Sequence, residues 1–386
     1  MWNNKINSTL LLKEEKTPFL MVLIMLLIFF GTSNTFDYNE AISNGYSDVI
    51  TYFQIASDGF DNKIGESNTL HRTERWPIHI IVHYVSKITN IEIWSIYRFF
   101  IIGILLSSLF VINSINNISQ YKKIAIWAMI IFNPFTFRLY YLAPGMISDS
   151  LLLLGLLLFV CGLLNKNNAQ IILAIIISLL SRQTALLLIP IIGILYLKKL
   201  VITKKFILYN LIILFIFIFI KVSTTQLFNA EQTNYYLNIS SGLILWINSE
   251  FSINGLFQFF GRYVFFLLTL FPLFYIINNF EKNEWLYLSF FFLIAIQPLA
   301  GGPPVTGGSI QRLSALGLPF LVPIITFSNC SDKKLIIYTI SCILVSFHHQ
   351  SSFIHIFMYS KSIFLFTVCV IALLFSIFKL KTNDKI

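Results

Sequence analysis

The stretch Ile147-Ser-Asp-Ser-Leu-Leu-Leu-Leu-Gly-Leu-Leu-Leu-Phe-Val-Cys-Gly-Leu-Leu164 decides the fold class of this chain. Its one charged residue is Asp149, and everything after Ser150 is apolar or glycine. A helix of this length nearly crosses the roughly 30 Å hydrocarbon core of a bilayer. Similar runs recur at 18–30, 206–220 and 362–378, more than a soluble core could bury. We therefore expect an all-α, polytopic membrane helical bundle.

The composition favours the same class. Of 386 residues, 56% are hydrophobic and 11% are charged, whereas a soluble domain carries about 25% charged residues. The net charge of +10 would suit a nucleic-acid partner, but the lysines stand in short loops between apolar segments, so we expect none. The cysteines are scattered and form no CxxC motif, so we expect neither a disulfide nor structural zinc.

About twelve membrane spans are predicted, within one transmembrane domain that covers residues 1–386. The predicted spans are 18–33, 95–114, 124–142, 147–164, 169–181, 184–197, 206–221, 259–279, 285–298, 313–327, 334–348 and 362–378. Residues 169–197 could instead form one long tilted helix. We prefer a hairpin that turns at Arg182-Gln183, because a single helix would place the later lysine clusters outside.

The lysines predict the orientation. With a cytoplasmic N-terminus, 16 of the 20 lysines fall in the N-terminal segment, the inner loops or the C-terminal tail, as the positive-inside rule requires. Both termini are then cytoplasmic. The abundance of Ile, Asn, Lys and Phe is typical of an AT-rich bacterial genome, so we expect the bacterial inner (cytoplasmic) membrane.

The arginines follow a different distribution. All seven fall on outer loops or the outer ends of spans: Arg72, Arg75, Arg98, Arg138, Arg182, Arg262 and Arg312. The planar guanidinium group matches carboxylates and phosphates, so some of these arginines could be structural partners of Asp or Glu. Seven on one face nevertheless indicate an anionic ligand at the outer membrane boundary.

Two outer segments are long, at 34–94 and 222–258. The first contains eight acidic residues, and its stretches 48–56 and 76–85 show helical periodicity. In the second stretch Pro77 suits a first helical turn, and an apolar stripe follows. We expect short interfacial helices here, which could also be a simple amphipathic cover over the bundle. The aromatic and Asn-rich loop 229–254 offers rings and amides of the kind that bind sugars.

Further polar groups gather at the same level. They are Arg138, Tyr140, Tyr141, Asp149, Arg182, Gln183, Arg262, Gln311, Arg312, His348, His349 and His355. Ionisable groups at membrane depth usually face a cavity or a partner, and Asp149 could simply pair with Arg138 or Arg182. The loop Gly301–Gly308 lacks the GK[ST] of a P-loop and could be a lid or a plain connector.

His79 and His83 are four residues apart on one helical face, so a metal ion could bridge them. Only two ligands are visible and the HExxH pattern is absent, so we expect no metal and no other cofactor.

The sequence Asp48-x-x-x-Tyr52-x-x-Ile55-Ala56 resembles the membrane glycosyltransferases of the GT-C superfamily. These include the protein O-mannosyltransferases, the lipid A aminoarabinose transferases and the GPI mannosyltransferases. Members share a cytoplasmic N-terminus and a first span that leads into a long outer loop with an early Asp. Arg138 to Asp149 and Ser181 to Thr184 are similar to later turns of the family. The family's acidic pair is absent, since Val49 follows Asp48.

The resemblance implies transfer of a sugar from a polyprenyl-phosphate carrier to an acceptor on the outer side of the membrane. Asp48 would be the base of an inverting displacement, although Asp48 could equally cap its helix. Phosphate candidates are Arg75, Arg182 and Arg312, followed by Arg138 and Arg262. Other candidate site residues are Tyr52, Asp149, Gln183, Gln311, His79 and His83. The acceptor would be a cell-surface glycan, a glycolipid or a protein.

Two alternatives remain open at this stage. An O-antigen or capsule polymerase also has many spans and outer arginines, but it usually carries its long arginine-bearing loop late in the chain. A flippase or transporter of lipid-linked sugars should show broken helices, mid-membrane charges and inverted repeats, and no internal repeat is visible.

Overall fold

A computed structural model describes residues 3–61, 70–228, 253–277, 282–298 and 310–347, with side chains described from residue 18 onward except at 70–71, 253–259 and 282–283. These residues form α-helices joined by turns and short 3-10 segments. The helices of the first half are α1 (Asn3–Thr32), α2 (Tyr38–Ser43), α3 (Asp48–Asp58), α4 (Leu70–Thr73), α5 (Trp76–Thr89), α6 (Ile93–Asn113), α7 (Gln120–Ile131), α8 (Phe137–Leu142) and α9 (Ile147–Leu164). Those of the second half are α10 (Asn168–Ser181), α11 (Leu188–Leu197), α12 (Thr203–Phe228), α13 (Ile253–Thr269), α14 (Leu273–Ile276), α15 (Lys282–Ala295), α16 (Ile310–Ala315), α17 (Val322–Phe327) and α18 (Asp332–Val345).

Among the described residues, three helical segments are long and apolar enough to cross a bilayer. They are Ile93–Asn113, Pro144–Leu164 and Thr203–Phe228. Six shorter apolar helices accompany them, at Pro18–Thr32, Asn168–Ser181, Gln183–Leu197, Phe260–Ile276, Glu284–Ala295 and Leu318–Phe327. The expectation of an all-helical bundle is therefore confirmed for the described residues, which include helices apolar and long enough to be candidate membrane spans.

Helix α9 lies at the centre of the bundle, and α10 packs directly against it. Added Cβ atoms at Gly155 and Gly162 would lie only 2.3 Å from Ser178 Oγ and 2.8 Å from Ile171 Cγ1. Glycine at these two positions therefore lets the α9 and α10 backbones approach closely. The two helices are antiparallel, so Asp149 and Arg182 lie at the same end of the pair.

Residues 169–197 form two helices that reverse direction, as predicted. The Tyr209 hydroxyl donates to Asn168 Oδ1 at the start of α10 (3.1 Å), and the rings of Tyr196 and Phe206 stack at the end of α11 (4.6 Å between centroids). The start of α10 and the end of α11 thus meet the same end of α12. Arg182 adopts an extended backbone conformation (φ −159°, ψ 146°), which ends α10.

The two ends of the bundle carry different cations. At the end that we call the lysine end, residues 114–123, 165–168, 198–206 and 326–334 meet. There the Asn165 side chain donates to Ser114 O and accepts from Asn116 N, and Lys122 Nζ donates to Thr326 O. At the opposite, arginine end are Asp48, Arg75, Asp149, Arg182 and Arg312.

Three predicted spans are not continuous helices. The predicted span 124–142 breaks between α7 and α8 at Asn133-Pro134, 259–279 breaks at Phe271-Pro272, and 313–327 breaks around Gly317 and Pro319. Proline removes a backbone donor and clashes with the preceding turn, so it interrupts a helix. Asn133 restores part of the lost bonding, because it accepts from Phe135 N and donates to Thr269 Oγ1 (both 3.0 Å).

The segment 222–258, predicted as the second long outer loop, is helical at both ends. Helix α12 continues to Phe228 and α13 begins at Ile253. Within α12, Lys221 pairs with Glu74 and the Thr224 hydroxyl donates to Ile220 O. Residues 229–252 lie outside the described residues, as do the Gly301–Gly308 loop, the histidines at 348, 349 and 355, and the last predicted span, 362–378.

The first predicted outer loop, 34–94, contains the expected short helices. Helices α3 and α5 run side by side in the same direction, because Tyr52 stacks on His79 (4.4 Å, 8° between planes) and, one turn on, Ala56 O contacts His83 Nδ1 (3.0 Å). Their apolar faces include Val49, Ile55 and Val82, which are fully buried against the bundle. This pair of helices forms one wall of the candidate site.

Candidate active site at the arginine end

Asp48 lies at the open side of a cluster of charged groups. It is the first residue of α3, and Ser47 occupies the N-cap position without a side-chain capping bond. The Asp48 carboxylate instead pairs with Arg72 Nε (2.8 Å) and with Arg312 Nη2 (3.3 Å). The interpretation of Asp48 as a helix cap is therefore not supported.

Arg312 joins two carboxylates. Its Nη2 faces Asp48, and its Nη1 lies 3.3 Å from Asp149 Oδ2. Arg182 Nη1 binds the other oxygen of Asp149. The sequence suggested Arg138 or Arg182 as the partner of Asp149, and the structure pairs it with Arg182. The planar fork of Arg312 is suited to this double role, since its nitrogen atoms point in fixed and different directions.

Arg75 adds a further guanidinium group from the start of α5. Its Nη1 donates to the Tyr52 hydroxyl, and its guanidinium carbon lies 5.8 Å from the centre of the Tyr52 ring. Among the described residues, the Nε groups of Arg75 and Arg182 have no hydrogen-bond partner although both are buried. A buried donor without a partner costs about 1–3 kcal/mol, so these groups favour a ligand that accepts hydrogen bonds.

A second layer of hydrogen bonds holds Tyr52 in place. Tyr97 Oη lies 3.1 Å from Tyr52 O and 2.7 Å from His79 Nδ1, and His79 Nε2 lies 3.2 Å from Ser148 Oγ. One assignment satisfies all these groups: Tyr97 donates to Tyr52 O, His79 Nδ1–H donates to Tyr97, and Ser148 donates to Nε2. Burial, with a smaller effect of Arg75, lowers the pKa of His79 to about 3, so the ring is neutral.

The cluster carries an excess of positive charge. The four guanidinium groups of Arg72, Arg75, Arg182 and Arg312 face the two carboxylates of Asp48 and Asp149, which leaves a net charge of +2. Taking unpaired charges out of water costs several kcal/mol per ion. An anion with one to two negative charges would offset this cost.

The side chains of the cluster differ in how far they are exposed to solvent. Asp149 is 1% exposed, and Arg75, Arg182 and Arg312 are 5–6% exposed. By contrast, the side chains of Asp48 and Arg72 are 19% and 25% exposed. A ligand would therefore enter past Asp48 and Arg72 and meet the more deeply buried arginines with its anionic group.

The arginines set the ionisation of Asp48. Burial acts to raise the pKa of this carboxyl, but Arg312, Arg75 and Arg72 outweigh it and hold the pKa well below its usual range. Asp48 is therefore a carboxylate at neutral pH, and a weak base as long as the guanidinium groups are not neutralised by another anion.

Beside the cluster, Glu74 and Gln183 form a second set of polar contacts. Gln183 Nε2 donates to Glu74 Oε2 at 2.5 Å, and Lys221 pairs with the other carboxylate oxygen. Glu74 is 3% exposed. Gln183 thus belongs to the site region through a partner that the sequence did not single out.

Several predicted site residues lie elsewhere. Arg138 is fully buried, but its guanidinium group donates to Phe29 O (3.2 Å), Ser33 Oγ (2.7 Å) and Ser346 Oγ (3.1 Å) and lies over the ring of Phe29. It ties α1 to the end of α18, which does not support a role in phosphate binding.

Arg262 and Gln311 are half-buried, and neither has a side-chain hydrogen bond to another described residue. His79 and His83 use their ring nitrogens on different partners, Tyr97 and Ser148 in one case and Ala56 O in the other. These contacts do not direct the two imidazoles towards a common point.

Arg72, Glu74, Tyr97 and Ser148 are the groups at the site that the sequence did not select. Arg72 and Arg75 are three residues apart, a spacing that brings side chains to one face of a helical turn, and this signal could have identified Arg72. Tyr97 and Ser148 have no such signal, since each stands beside other polar residues of its helix, Ser95 and Arg98 in one case and Asp149 and Ser150 in the other.

The arrangement combines a partly accessible carboxylate with a buried, cationic anion site next to it. Such a pair of groups can take a proton from an incoming hydroxyl and stabilise negative charge on a departing oxyanion. Comparison of the chain with protein-family models, with curated proteins and with solved structures finds no match.

Proposed function

We propose that this protein is a membrane glycosyltransferase of the GT-C type, which moves a sugar from a polyprenyl-phosphate carrier to an acceptor hydroxyl. The observation that carries the proposal is the buried cluster of net charge +2 around Asp48. The acceptor is a cell-surface glycan, a glycolipid or a protein.

The charge of the cluster fits the change in charge during this reaction. The donor is a phosphodiester with one negative charge. When the bond between the anomeric carbon and oxygen breaks, the leaving polyprenyl phosphate becomes a monoester with a charge between −1.5 and −2, since its second pKa is about 6. Four arginines held in place before the reaction therefore stabilise the transition state and product more than the donor.

Asp48 takes the proton in this scheme. The acceptor oxygen forms its bond to the anomeric carbon, its proton passes to the Asp48 carboxylate, and the electron pair of the broken bond stays on the phosphate oxygen. Attack opposite the leaving group inverts the anomeric centre. Asp48 and Arg72 form the more accessible side of the cluster, where an acceptor arrives.

Donor binding also activates the base. Without an anion, Arg312, Arg75 and Arg72 depress the pKa of Asp48. A phosphate bound to these arginines offsets their field, so the pKa of Asp48 rises towards its usual range and the carboxylate accepts a proton more readily. Asp48 thus becomes a competent base when the donor is in place.

The proposal includes about twelve spans, with the arginine end on the outer side of a bacterial cytoplasmic membrane. The separation of the lysine end from the arginine end supports this orientation, because lysines prefer the cytoplasmic side.

The test compares wild type with Asp48→Asn, both purified in detergent and supplied with radiolabelled polyprenyl-phosphate hexoses and a membrane extract as acceptor. We expect Asp48→Asn to bind the donor and to lose transfer by roughly 10²–10⁴-fold, the usual contribution of a general base. The matched control is Asp58→Asn, which removes an exposed carboxylate at the far end of the same helix and should transfer normally.

Two results would contradict the proposal. One is equal transfer by wild type and Asp48→Asn. The other is wild type that ignores every monophosphate donor and instead lengthens chains on a polyprenyl-diphosphate repeat unit, which would show a polymerase.

A further inference from the structure

In two pairs of consecutive residues, one side chain belongs to the charged cluster and the other lies at a second location beside it. In Glu74-Arg75 and in Arg182-Gln183, the arginine joins the charged cluster, while Glu74 and Gln183 bind each other at 2.5 Å. Consecutive Cα atoms are about 3.8 Å apart, so the Glu74–Gln183 contact lies directly beside the arginines. These two side chains are therefore within reach of a group attached to a phosphate in the cluster.

The charge at this second location is balanced. Lys221 of α12 neutralises Glu74, and Gln183 is uncharged. Together they present carboxylate and amide oxygens as acceptors and ammonium and amide hydrogens as donors. A neutral set of donors and acceptors suits a polyhydroxylated ligand without charge, in contrast to the cationic cluster next to it.

Aromatic rings lie on the same segment. Trp76 follows Arg75 and lies near Phe60 (5.8 Å between ring centroids) and Phe228 (6.3 Å). Among the described residues, the buried Trp76 Nε1 and the hydroxyl of the fully buried Thr73 have no hydrogen-bond partner. Small-molecule sites usually combine apolar rings with a few polar groups that fix orientation.

We propose that Glu74, Gln183 and Trp76 form the subsite for the sugar ring of the donor and determine which sugar is transferred. The inference rests on the proposed function. The ring hydroxyls bind Glu74 and Gln183, and an apolar face of the ring packs on Trp76. Glu74 and Gln183 are specificity-determining residues, and the sugar is an uncharged hexose.

The experiment measures binding of two carriers to the purified full-length protein: polyprenyl phosphate without a sugar and polyprenyl-phosphate hexose. We expect Glu74→Gln and Gln183→Ala each to weaken binding of the hexose carrier by roughly 10-fold, the effect of one lost hydrogen bond to a charged group, and to leave the bare carrier unchanged. Arg75→Met should weaken both carriers. Gln120→Ala, an exposed glutamine at the lysine end, is the matched control.

Transfer kinetics with a panel of epimeric hexoses supply a second measurement. Glu74→Gln and Gln183→Ala should raise KM and change the ratio of kcat/KM between epimers, whereas a purely structural role would lower kcat for all of them alike. Equal weakening of both carriers by both variants, or an unchanged epimer ratio, would overturn the inference while the phosphate site stands. Failure of wild type to bind either carrier would overturn the proposed function, and the inference with it.

Discussion

The lysine end and the arginine end of the bundle differ in how exposed their cations are and in whether these pair with carboxylates. At the lysine end, Lys166, Lys198 and Lys204 are exposed, and neutral groups such as Asn165 connect the turns. At the arginine end, Arg182 and Arg312 are nearly inaccessible and are paired with buried carboxylates.

The difference separates two uses of a cation. An exposed lysine keeps its hydration, contributes little to stability and can be replaced by another polar residue. A buried guanidinium group must be compensated by named partners, and its removal leaves those partners uncompensated. The charges at the lysine end are therefore consistent with a role in orientation, and those at the arginine end with a role at a site.

The largest expected effect comes from Arg312→Met, because Arg312 faces both Asp48 and Asp149. Loss of one partner from a buried ion pair costs about 3–5 kcal/mol of unfolding free energy. Loss of a donor that stabilises an oxyanion lowers transfer by about 10²–10³-fold. Thermal unfolding in detergent and the transfer assay measure the two effects.

The matched change at the other end is Lys198→Met, where an exposed lysine follows α11. We expect its unfolding free energy to stay within about 0.5 kcal/mol of wild type. Similar losses at both ends would remove the distinction between them.

The second effect concerns pH and His79. The folded pKa is about 3, and the unfolded pKa is about 6.5. Below pH 6.5 the unfolded chain therefore binds a proton that the folded protein does not. Wild type should lose about 1.4 kcal/mol of stability per pH unit from this group as pH falls towards 3.

His79→Gln removes this titration and can keep a polar contact with Tyr97 or Ser148. We expect it to be less stable than wild type at pH 8 and to lose stability less steeply below pH 6.5, as measured by thermal unfolding across that range. Parallel curves for the two proteins would show that His79 is not buried and neutral.

A third, smaller effect on transfer is expected when an arginine of the cluster is replaced by lysine. Arg182→Lys keeps the charge next to Asp149 but loses the planar fork, so we expect a 10- to 100-fold drop in transfer, equivalent to about 1.5–3 kcal/mol. The reciprocal change, Lys204→Arg at the lysine end, should leave transfer unchanged. Equal activity of Arg182→Lys and wild type would show that charge alone is needed at position 182.

The smallest effect is expected for Asn165→Ala. It removes two hydrogen bonds, to Ser114 O and from Asn116 N, in an exposed turn. We expect a loss of about 1 kcal/mol in unfolding free energy and normal transfer. A large loss of transfer would show that the lysine end also contributes to the site.

Helical periodicity and charge type were sufficient to predict much of this molecule. The apolar run from Ile147 to Leu164 predicted α9 to the residue, and the placement of all seven arginines on outer segments or outer span ends brought together Arg75, Arg182 and Arg312. The spacing of the hydrophobic residues also predicted α3 and α5, which carry Asp48 and Arg75.

What could not be predicted depends on contacts between distant segments. Arg138 stands on an outer helix end like the other arginines, but only the packing of α1 and α18 directs it to Ser33 and Ser346. The bond from Asn133 to Thr269, which lies between the breaks at Asn133-Pro134 and Phe271-Pro272, joins residues 136 positions apart. Hydropathy averaged over a window does not resolve such local interruptions.

The close approach of α9 and α10 at Gly155 and Gly162 has a mechanical consequence. Close packing of the two backbones restricts relative motion of α9 and α10. Asp149 and Arg182 lie at the shared end of this pair, so we expect their relative positions to be fixed. Adjustment to a ligand then falls to the other side of the cluster, where Asp48 and Arg72 are more exposed. Asp48, which we propose as the base, therefore lies on the less enclosed side of the site.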